Sequence, residues 1–139
     1  MENKAKLTFP SDEWFARFVE ELNNNREYEE AARNWEGDFL FVVTPERGKG
    51  TEYLYYLDLF HGKCREHYPV ASRDTKKAEF MLIGKVQNWK KIGKGEIDAT
   101  RAMLSGKLKI KGNMAKVMKY TRAANELAKT ATRVPTNFD

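Results

Sequence analysis

Three side chains with metal-binding or nucleophilic chemistry lie close together in this sequence. His61, Cys64 and His67 fall within a segment whose pattern predicts a turn followed by a strand. Side chains alternate across a strand, so the spacing of Cys64 and His67 predicts that they point to opposite faces of a sheet. A closed zinc site takes four ligands, and a nucleophile needs a base and an orienting group beside it. We therefore expect no metal site and no catalytic residue here.

Two glycine-containing loops resemble phosphate-binding loops only superficially. Residues 48–50 and 93–95 both read Gly-Lys-Gly. Neither has the Walker spacing G-x-x-x-x-G-K-[ST], and neither follows the dinucleotide pattern G-x-G-x-x-G between a strand and a helix. The sequence also contains no G-x-S-x-G elbow, no H-E-x-x-H pair and no paired-carboxylate motif. These observations predict a protein that is not an enzyme and that needs no cofactor.

The length and composition are those of one globular domain. The chain has 139 residues, of which 41% are hydrophobic and 32% are charged. We expect a single domain over residues 1–139, with a core of about 11–131 and tails at 1–10 and 132–139. Cys64 is the only cysteine, which excludes an intramolecular disulfide and favours a reducing compartment. No apolar run has the length of a signal peptide or a membrane span, so we expect a cytoplasmic protein.

The charge is distributed unevenly along the chain. The net charge is +5, yet residues 1–36 carry five basic and nine acidic side chains. Residues 107–139 carry eight basic and two acidic side chains. A basic surface attracts phosphate-bearing partners such as nucleic acid, an anionic membrane or a phosphorylated ligand. The pattern alone does not choose among these partners, and a solvated basic face explains it equally well.

Periodicity predicts helices at the start of the chain and strands in its middle. Ser11 is a suitable N-cap for an amphipathic helix, and a second short helix ends near Trp35. Apolar runs then predict four strands over residues 39–43, 53–60, 64–70 and 78–83, followed by a fifth strand over residues 107–111. The polar segment 72–77 is long enough for a crossover connection.

The C-terminal part of the chain is rich in methionine. A helix capped by Asn113 is predicted to run to Ala131, with Met114 and Met118 on its inner stripe. Met103 and Trp89 precede it. Methionine adapts to irregular surroundings, so these side chains suit the wall of a cavity, although a plain core explains the same spacing.

The segment 78–118 closely resembles the sterol carrier protein (type two) lipid-binding domain family. The similar motifs are the strand A-E-F-M-L-I, the short helix around Trp89 that ends in I-G-K-G, the helix D-A-T-R-A-M-L-S and, most specifically, G-K-L-K-I-K-G-N-M at residues 106–114. A looser similarity extends over residues 11–130.

The resemblance implies an α+β fold in which helices cover one side of a five-stranded, mostly antiparallel sheet with a crossover. It also implies a hydrophobic tunnel, between sheet and helices, that holds a fatty acid, a fatty acyl-CoA or a sterol-like lipid without catalysis. By motif position, the residues expected to line the tunnel are Trp89, Leu104, Leu108, Ile110, Met114 and Met118. Phe80 and Leu82, on one face of the fourth strand, are expected to form its floor, and Met103 of the methionine-rich segment is a further candidate.

Other functions remain open at this stage. Lys107, Lys109, Lys111 and Lys116 are candidates for transient contact with an anionic membrane or a lipid head group. A basic nucleic-acid-binding module is an alternative, although the strand K-L-K-I-K carries no aromatic side chain for stacking. A subunit that presents lipid to an enzyme is a second alternative. The C-terminal residues T-N-F-D do not form a peroxisomal address.

Overall fold

The structure, a computed structural model, describes residues 5–48 and 50–138. Within these ranges the chain forms seven strands and six helices. The strands are β1 (Leu7–Thr8), β2 (Glu36–Thr44), β3 (Tyr53–Phe60), β4 (Lys63–Val70), β5 (Phe80–Lys85), β6 (Leu108–Lys111) and β7 (Thr136–Asn137). The helices are α1 (Asp12–Asn23), α2 (Arg26–Ala31), α3 (Val86–Gly93), α4 (Ala99–Leu104), α5 (Met114–Met118) and α6 (Thr121–Ala131).

The main sheet of the described chain has five strands in the spatial order β4-β3-β2-β5-β6. Neighbouring strands are antiparallel except β2 and β5, which are parallel. Because β4 and β5 run in the same direction and are not adjacent, residues 71–79 cross the sheet between them. This architecture confirms the expected α+β fold with a mostly antiparallel sheet and a crossover.

Helices cover one face of the main sheet, which we call the front face. The alternation of strand side chains sends Phe39, Phe41 and Val43 of β2 to this face, where they join the larger hydrophobic core. Leu82 of β5 and Leu108 of β6 point the same way. The front face and its helices therefore enclose the main apolar volume of the molecule.

The opposite face, which we call the back face, carries a smaller apolar cluster under the crossover segment. Its core includes Val42 of β2 and Tyr56 of β3. The Nζ of Lys76 lies 4.9 Å from the centroid of the Tyr56 ring. Arg73 donates two hydrogen bonds to the Glu52 carboxylate, at 2.9 and 2.7 Å. A loop rather than a helix thus shields this side.

Helix α1 forms as the sequence predicts. The Ser11 hydroxyl oxygen accepts a hydrogen bond from the Trp14 backbone N–H at 3.1 Å, which satisfies one free donor of the first turn. The buried stripe of α1 packs on β3, where the Phe15 ring stacks on Tyr53 and Tyr55 with centroid distances of 5.7 and 4.6 Å. Aromatic stacking adds about 0.5–1.5 kcal/mol per pair to the free energy of burial.

A tight turn at His61 and Gly62 joins β3 to β4. Both residues have positive φ, 51° and 81°, which is the requirement of a type I′ hairpin turn. A side chain at Gly62 would place its Cβ 2.7 Å from the backbone of Glu29 in α2. The glycine therefore allows the hairpin to pack directly against α2.

A bulge in this hairpin corrects one prediction about side-chain direction. Leu57 and Leu59 both face the front, and His67 pairs with Leu57 while Cys64 pairs with Leu59. The expectation that Cys64 and His67 lie on opposite faces is therefore wrong, because the register shift between the two leucines changes the alternation. The two side chains have separate partners: His67 Nδ1 lies 2.7 Å from the Tyr55 hydroxyl oxygen, and the thiol of Cys64 donates to a backbone carbonyl at 3.3 Å.

The ends of the described chain are part of the packed structure. We expected tails at 1–10 and 132–139, but β1 pairs in parallel with β7 in a separate two-stranded sheet. The Trp14 indole N–H donates to the Thr136 hydroxyl oxygen at 2.9 Å and ties this sheet to α1. Buried apolar side chains in the two segments are Phe9 and Val134. Scattered apolar residues without periodicity gave no sequence signal for this pairing.

The single C-terminal helix predicted from Asn113 to Ala131 is two helices. The Asn113 side chain does cap the first of them and accepts from the Lys116 backbone N–H at 3.2 Å. The backbone at Tyr120 has φ −118° and ψ 38°, outside the helical region, so α5 ends before it and α6 begins after it. A helical spacing counted across this break does not predict which side chains share a face.

Candidate ligand-binding cavity

Within the described residues, two apolar chambers lie between the front face and the helices, and we call them chamber A and chamber B. Their volumes are about 60 and about 50 Å³, several times the ~10–15 Å³ that one water-sized group requires. Chamber A is lined by Tyr28, Trp35, Phe39, Leu59, Leu82, Ala99, Met103, Leu108, Ile110, Val117, Tyr120, Ala123, Ala124 and Leu127. Chamber B is lined by Phe9, Trp14, Phe15, Phe18, Phe41, Leu82, Trp89, Ile92, Gly93, Ala99, Leu108, Ala124, Leu127, Ala128, Ala131 and Phe138.

The two chambers are neighbours with a common wall. The residues that line both are Leu82, Ala99, Leu108, Ala124 and Leu127. The expected single tunnel is not seen in this structure, which has two adjoining spaces instead, one near α5 and one near the chain ends.

Alanines on α6 create much of the space. Ala123, Ala124, Ala128 and Ala131 recur at helical spacing and line the chambers. Each presents only a methyl group to the sheet, where a leucine would fill the gap between α6 and the strands. Alanine also has the best helix propensity, so α6 keeps its helical stability while leaving this volume open.

Five of the nine predicted lining residues lie on the chamber walls. Met103 and Ile110 line chamber A, Trp89 lines chamber B, and Leu82 and Leu108 line both. The strand positions follow from simple alternation, because Leu108 and Ile110 are two residues apart on β6 and share the front face.

Hydrogen bonds fix the orientation of Trp89. Its indole N–H is shared between the carbonyl oxygens of Val42 at 3.2 Å and Gly84 at 3.1 Å. Gly84 lies close to the ring, and a Cβ there would come within 3.2 Å of the indole nitrogen and 2.5 Å of a Leu108 methyl group. The glycine of β5 therefore makes room for two chamber residues at once.

Leu104 and Phe80 do not line a chamber. Leu104, at the end of α4, is 73% exposed because Ala102 and Met103 form the buried side of that short helix. Phe80 is fully buried on the front face, but its ring packs against Phe39 with a centroid distance of 5.1 Å. Leu104 therefore lies outside the two chambers, and Phe80 is a packed neighbour of chamber A.

Met114 and Met118 also lie outside the two chambers. Met114 is 39% exposed at the first position of α5, and Met118 is half-buried at its last position. Val117 is the α5 residue that lines chamber A, and Tyr120 follows it at the helix break. The prediction assumed one continuous helix, and the break at Tyr120 invalidates that assumption.

Several chamber residues were missed because they come from outside the segment with the strong family motifs. Chamber B takes its aromatic side from α1, β2 and the residue Phe9 that follows β1, and Phe138 closes one part of it from the C-terminal end. Phe15 and Phe41 belonged to predicted buried stripes, so the periodicity marked them as core. It carried no information about which core side chains border an unfilled space.

Comparison with known proteins identifies the family. The model of the SCP-2 sterol transfer family matches residues 15–125. This chain belongs to that family. The SCP-2 assignment agrees with the resemblance of residues 106–114 and with the position of the chambers between sheet and helices.

Solved structures of SCP-2 proteins have the same fold. A crystal structure of sterol carrier protein 2 is 30% identical and superposes with a TM-score of 0.80, covering 89% of this chain and 97% of the other. A protein from Thermus thermophilus, described as possibly a sterol carrier protein, is 29% identical with a TM-score of 0.80, covering 93% and 91%. A palmitated SCP2L2 from Aedes aegypti shares the fold at 14% identity, with a TM-score of 0.54 and coverage of 89% and 96%.

A longer curated protein also contains a region similar to this SCP-2 chain. Hydroxysteroid dehydrogenase-like protein 2 of Xenopus tropicalis is 28% identical over 124 residues, which is 89% of this chain. The chain spans about a quarter of that relative, since the match covers 27% of its length. SCP-2 domains are lipid-binding and transfer domains, and this relative shows that the sequence pattern also occurs within larger proteins.

The chamber walls of this SCP-2 chain hold no carboxylate, lysine, arginine, histidine or cysteine among the described residues. Tyr28 is the most buried phenol on the wall of chamber A, and burial raises its pKa well above the ordinary value of a tyrosine. The phenol therefore stays neutral at physiological pH. An apolar wall of this kind favours alkyl and ring systems.

The four lysines proposed for membrane or head-group contact are separated by the fold. Lys109 and Lys111 lie on the back face of β6, opposite the chambers, because they alternate with Leu108 and Ile110. The Lys116 Nζ lies 2.8 Å from a Glu79 carboxylate oxygen and donates to a backbone carbonyl of β2 at 2.6 Å. Lys107 precedes β6 and is partly exposed.

Membrane-spanning helices and metal-binding clusters are both absent from the described part of the chain. Over residues 5–48 and 50–138, no helix has the length and apolar content needed to cross a membrane. The same residues contain no group of three or more histidine, cysteine, aspartate or glutamate side chains arranged to hold a metal ion.

Proposed function

We propose that this chain is a non-catalytic lipid carrier that holds one long-chain fatty acid, fatty acyl-CoA or sterol-like lipid in chambers A and B. The observation that supports the proposal most strongly is the pair of adjoining apolar chambers under the alanine side of α6. The Aedes aegypti protein has the same fold and is palmitated, which supports the proposal that the ligand of this chain carries an acyl group.

The driving force is removal of alkyl groups from water. Each methylene that leaves water for an apolar site contributes about 0.8 kcal/mol. An alkyl chain that enters one chamber and displaces the shared leucine side chains would bury its methylene groups in both chambers. An apolar wall distinguishes ligands mainly by length and width, so we expect tolerance of several lipid classes.

Delivery of the lipid requires contact with a membrane or a partner protein. We assign this contact to the basic C-terminal part of the chain. Lys107, Lys109 and Lys111 are available for a weak contact with anionic lipid, whereas Lys116 is held by Glu79 in this chain. Each basic side chain near an anionic surface contributes about 1 kcal/mol. This placement fits a cytoplasmic carrier that visits membranes transiently.

Binding is tested by displacement of a fluorescent polyene fatty acid from the purified chain. The proposal expects saturation at about one ligand per chain, with displacement by unlabelled palmitate. A signal no greater than that of an unrelated soluble protein of the same size would contradict it. Vesicle co-sedimentation, with and without anionic lipid, tests the membrane contact, which should weaken as salt rises.

A second candidate function is presentation of lipid to an enzyme. The observation that favours it is the Xenopus tropicalis relative, a dehydrogenase-like protein in which the similar region is about a quarter of the length. Copurification of a stable enzyme partner with the lipid-loaded chain would favour presentation over free transfer. The comparisons do not favour the nucleic-acid-binding alternative.

A further inference from the structure

The two chambers differ in the charges near their outer ends. Beside chamber A, the Lys116 Nζ is engaged by Glu79 at 2.8 Å and by the Glu36 carbonyl oxygen at 2.6 Å. The Glu79 carboxylate therefore neutralises the cation at this end. An anionic ligand group would meet repulsion from Glu79 and would have to compete for the same ammonium.

Chamber B ends among cations that have no carboxylate partner in the described residues. The Lys90 Nζ donates to the Phe138 carbonyl oxygen at 3.2 Å, and the Lys94 Nζ lies 5.4 Å from the centroid of the Phe138 ring. Neither ammonium lies within 4.0 Å of a carboxylate of residues 5–48 or 50–138. Lys91 is exposed in the same turn of α3.

Phe138 is placed as a cap over this end of chamber B. Its ring lines the chamber and rests against Gly93, where a Cβ would approach the ring to 3.1 Å. Gly93 is thus the point at which α3 leaves space for the aromatic cap. The neighbouring strand β7 pairs with the two-residue strand β1.

We propose that Lys90 and Lys94 form the binding site for the anionic head of an acyl lipid. The Phe138 ring moves aside when the alkyl chain of that lipid enters chamber B. This inference rests on the proposed lipid-binding function and assigns the orientation of the ligand. The alkyl chain lies toward chamber A, and the head group replaces the contacts that Lys90 and Lys94 now make with Phe138.

The test compares palmitate with hexadecanol, which has the same chain and a neutral head. Affinities are measured by displacement of the fluorescent fatty acid from wild type and from K90Q/K94Q. We expect the double substitution to weaken palmitate binding about three- to tenfold and to change hexadecanol binding less than twofold. The wild-type preference for palmitate should shrink at high salt, because exposed ion pairs are screened.

A matched control removes the same charge from the opposite side of the sheet. K76Q/K77Q also deletes two lysines but lies in the crossover segment over the back face, so palmitate affinity should stay within twofold of wild type. An equal loss in both double variants would overturn the inference in favour of a general surface potential, and no loss in K90Q/K94Q would overturn it outright. Failure of wild type to bind either ligand would contradict the proposed function itself.

The cap is tested by dissociation kinetics. Phe138→Ala should speed dissociation of palmitate and hexadecanol alike, because the ring covers the chamber whatever the head group. The thermal midpoint of the ligand-free variant shows whether the substitution has damaged the fold. An unchanged dissociation rate in a folded variant would contradict the assignment of Phe138 as the cap.

Discussion

Helices α1 and α6 cover the same face of one sheet and are built in opposite ways. Helix α1 buries large side chains, among them Leu22 at 0% exposure, and its rings stack on β3. Helix α6 presents alanines such as Ala124, and the chambers lie beneath it. Helix α1 borders chamber B through Trp14, Phe15 and Phe18, but of these two helices only α6 borders both chambers, mostly with alanine side chains.

Buried side chains of α1 that lie outside the chambers should respond to truncation with a loss of stability. Leu22→Ala removes a fully buried side chain that lines neither chamber, and such a change costs about 2–5 kcal/mol of unfolding free energy. Denaturant titration measures this cost, with ligand affinity determined under conditions where the variant is folded. A cost below ~1 kcal/mol, or a large change in affinity, would break the contrast between the two helices.

The open side should respond to added volume with a loss of binding. Ala124→Leu places extra carbons in the common wall of the chambers, so we expect ligand affinity to fall about tenfold or more while stability changes by less than ~1 kcal/mol. Fluorescent fatty-acid displacement and denaturant titration on the same variant measure the two effects.

Ala102→Leu is the matched control for that experiment. Ala102 is 0% exposed on α4 and lines neither chamber. The same added carbons there should overpack the core and cost about 1–3 kcal/mol without a direct effect on affinity. If Ala124→Leu lowers stability as Ala102→Leu does and leaves affinity unchanged, then the residues beneath α6 form an ordinary packed core.

Cys64 of β4, which lines neither chamber, should make the stability of the protein depend on pH. Burial raises the pKa of this thiol to about 12 in the folded chain, above its ordinary value of 9.0. The unfolded chain then loses its thiol proton first, so stability falls as pH rises above about 9 and continues to fall toward 12. Between pH 8 and 10.5 we expect a loss of about 1–2 kcal/mol that is absent in Cys64→Ala. If the stability of wild type and of Cys64→Ala depends on pH in the same way, the prediction is wrong and the thiol is hydrated in the folded chain.

The smallest effect is expected at an exposed residue that the sequence had placed in the cavity. Leu104→Ala should change stability by less than ~0.5 kcal/mol and ligand affinity by less than twofold, because the side chain is 73% exposed. A tenfold loss of affinity would mean that Leu104 contacts the ligand in the bound state.

Periodicity predicted elements and faces well where the backbone is regular. The helical stripe of α1, the alternation of Leu108 and Ile110 on β6, and the Asn113 cap all appear as expected. These features depend on local geometry that repeats every 3.6 or two residues. The family motifs supplied the sheet architecture and the location of the cavity.

Local breaks in regularity limited the rest. The bulge in the β3–β4 hairpin reversed the expected direction of His67, and the turn at Tyr120 removed Met118 from the chamber wall. Neither irregularity has a strong sequence signal such as proline. The pairing of β1 with β7 was invisible for another reason, because it joins two very short segments from opposite ends of the chain.

The most direct test of lipid binding in the chambers uses methyl NMR on the chain labelled with ¹³C at its methionine methyl groups. Met103 lines chamber A, whereas Met81 packs on the back face with the smaller cluster. Titration with palmitate should shift the Met103 methyl signal saturably at about one ligand per chain and leave the Met81 signal in place. Saturable binding that moves Met81 and not Met103 would contradict the account by placing the ligand on the other side of the sheet.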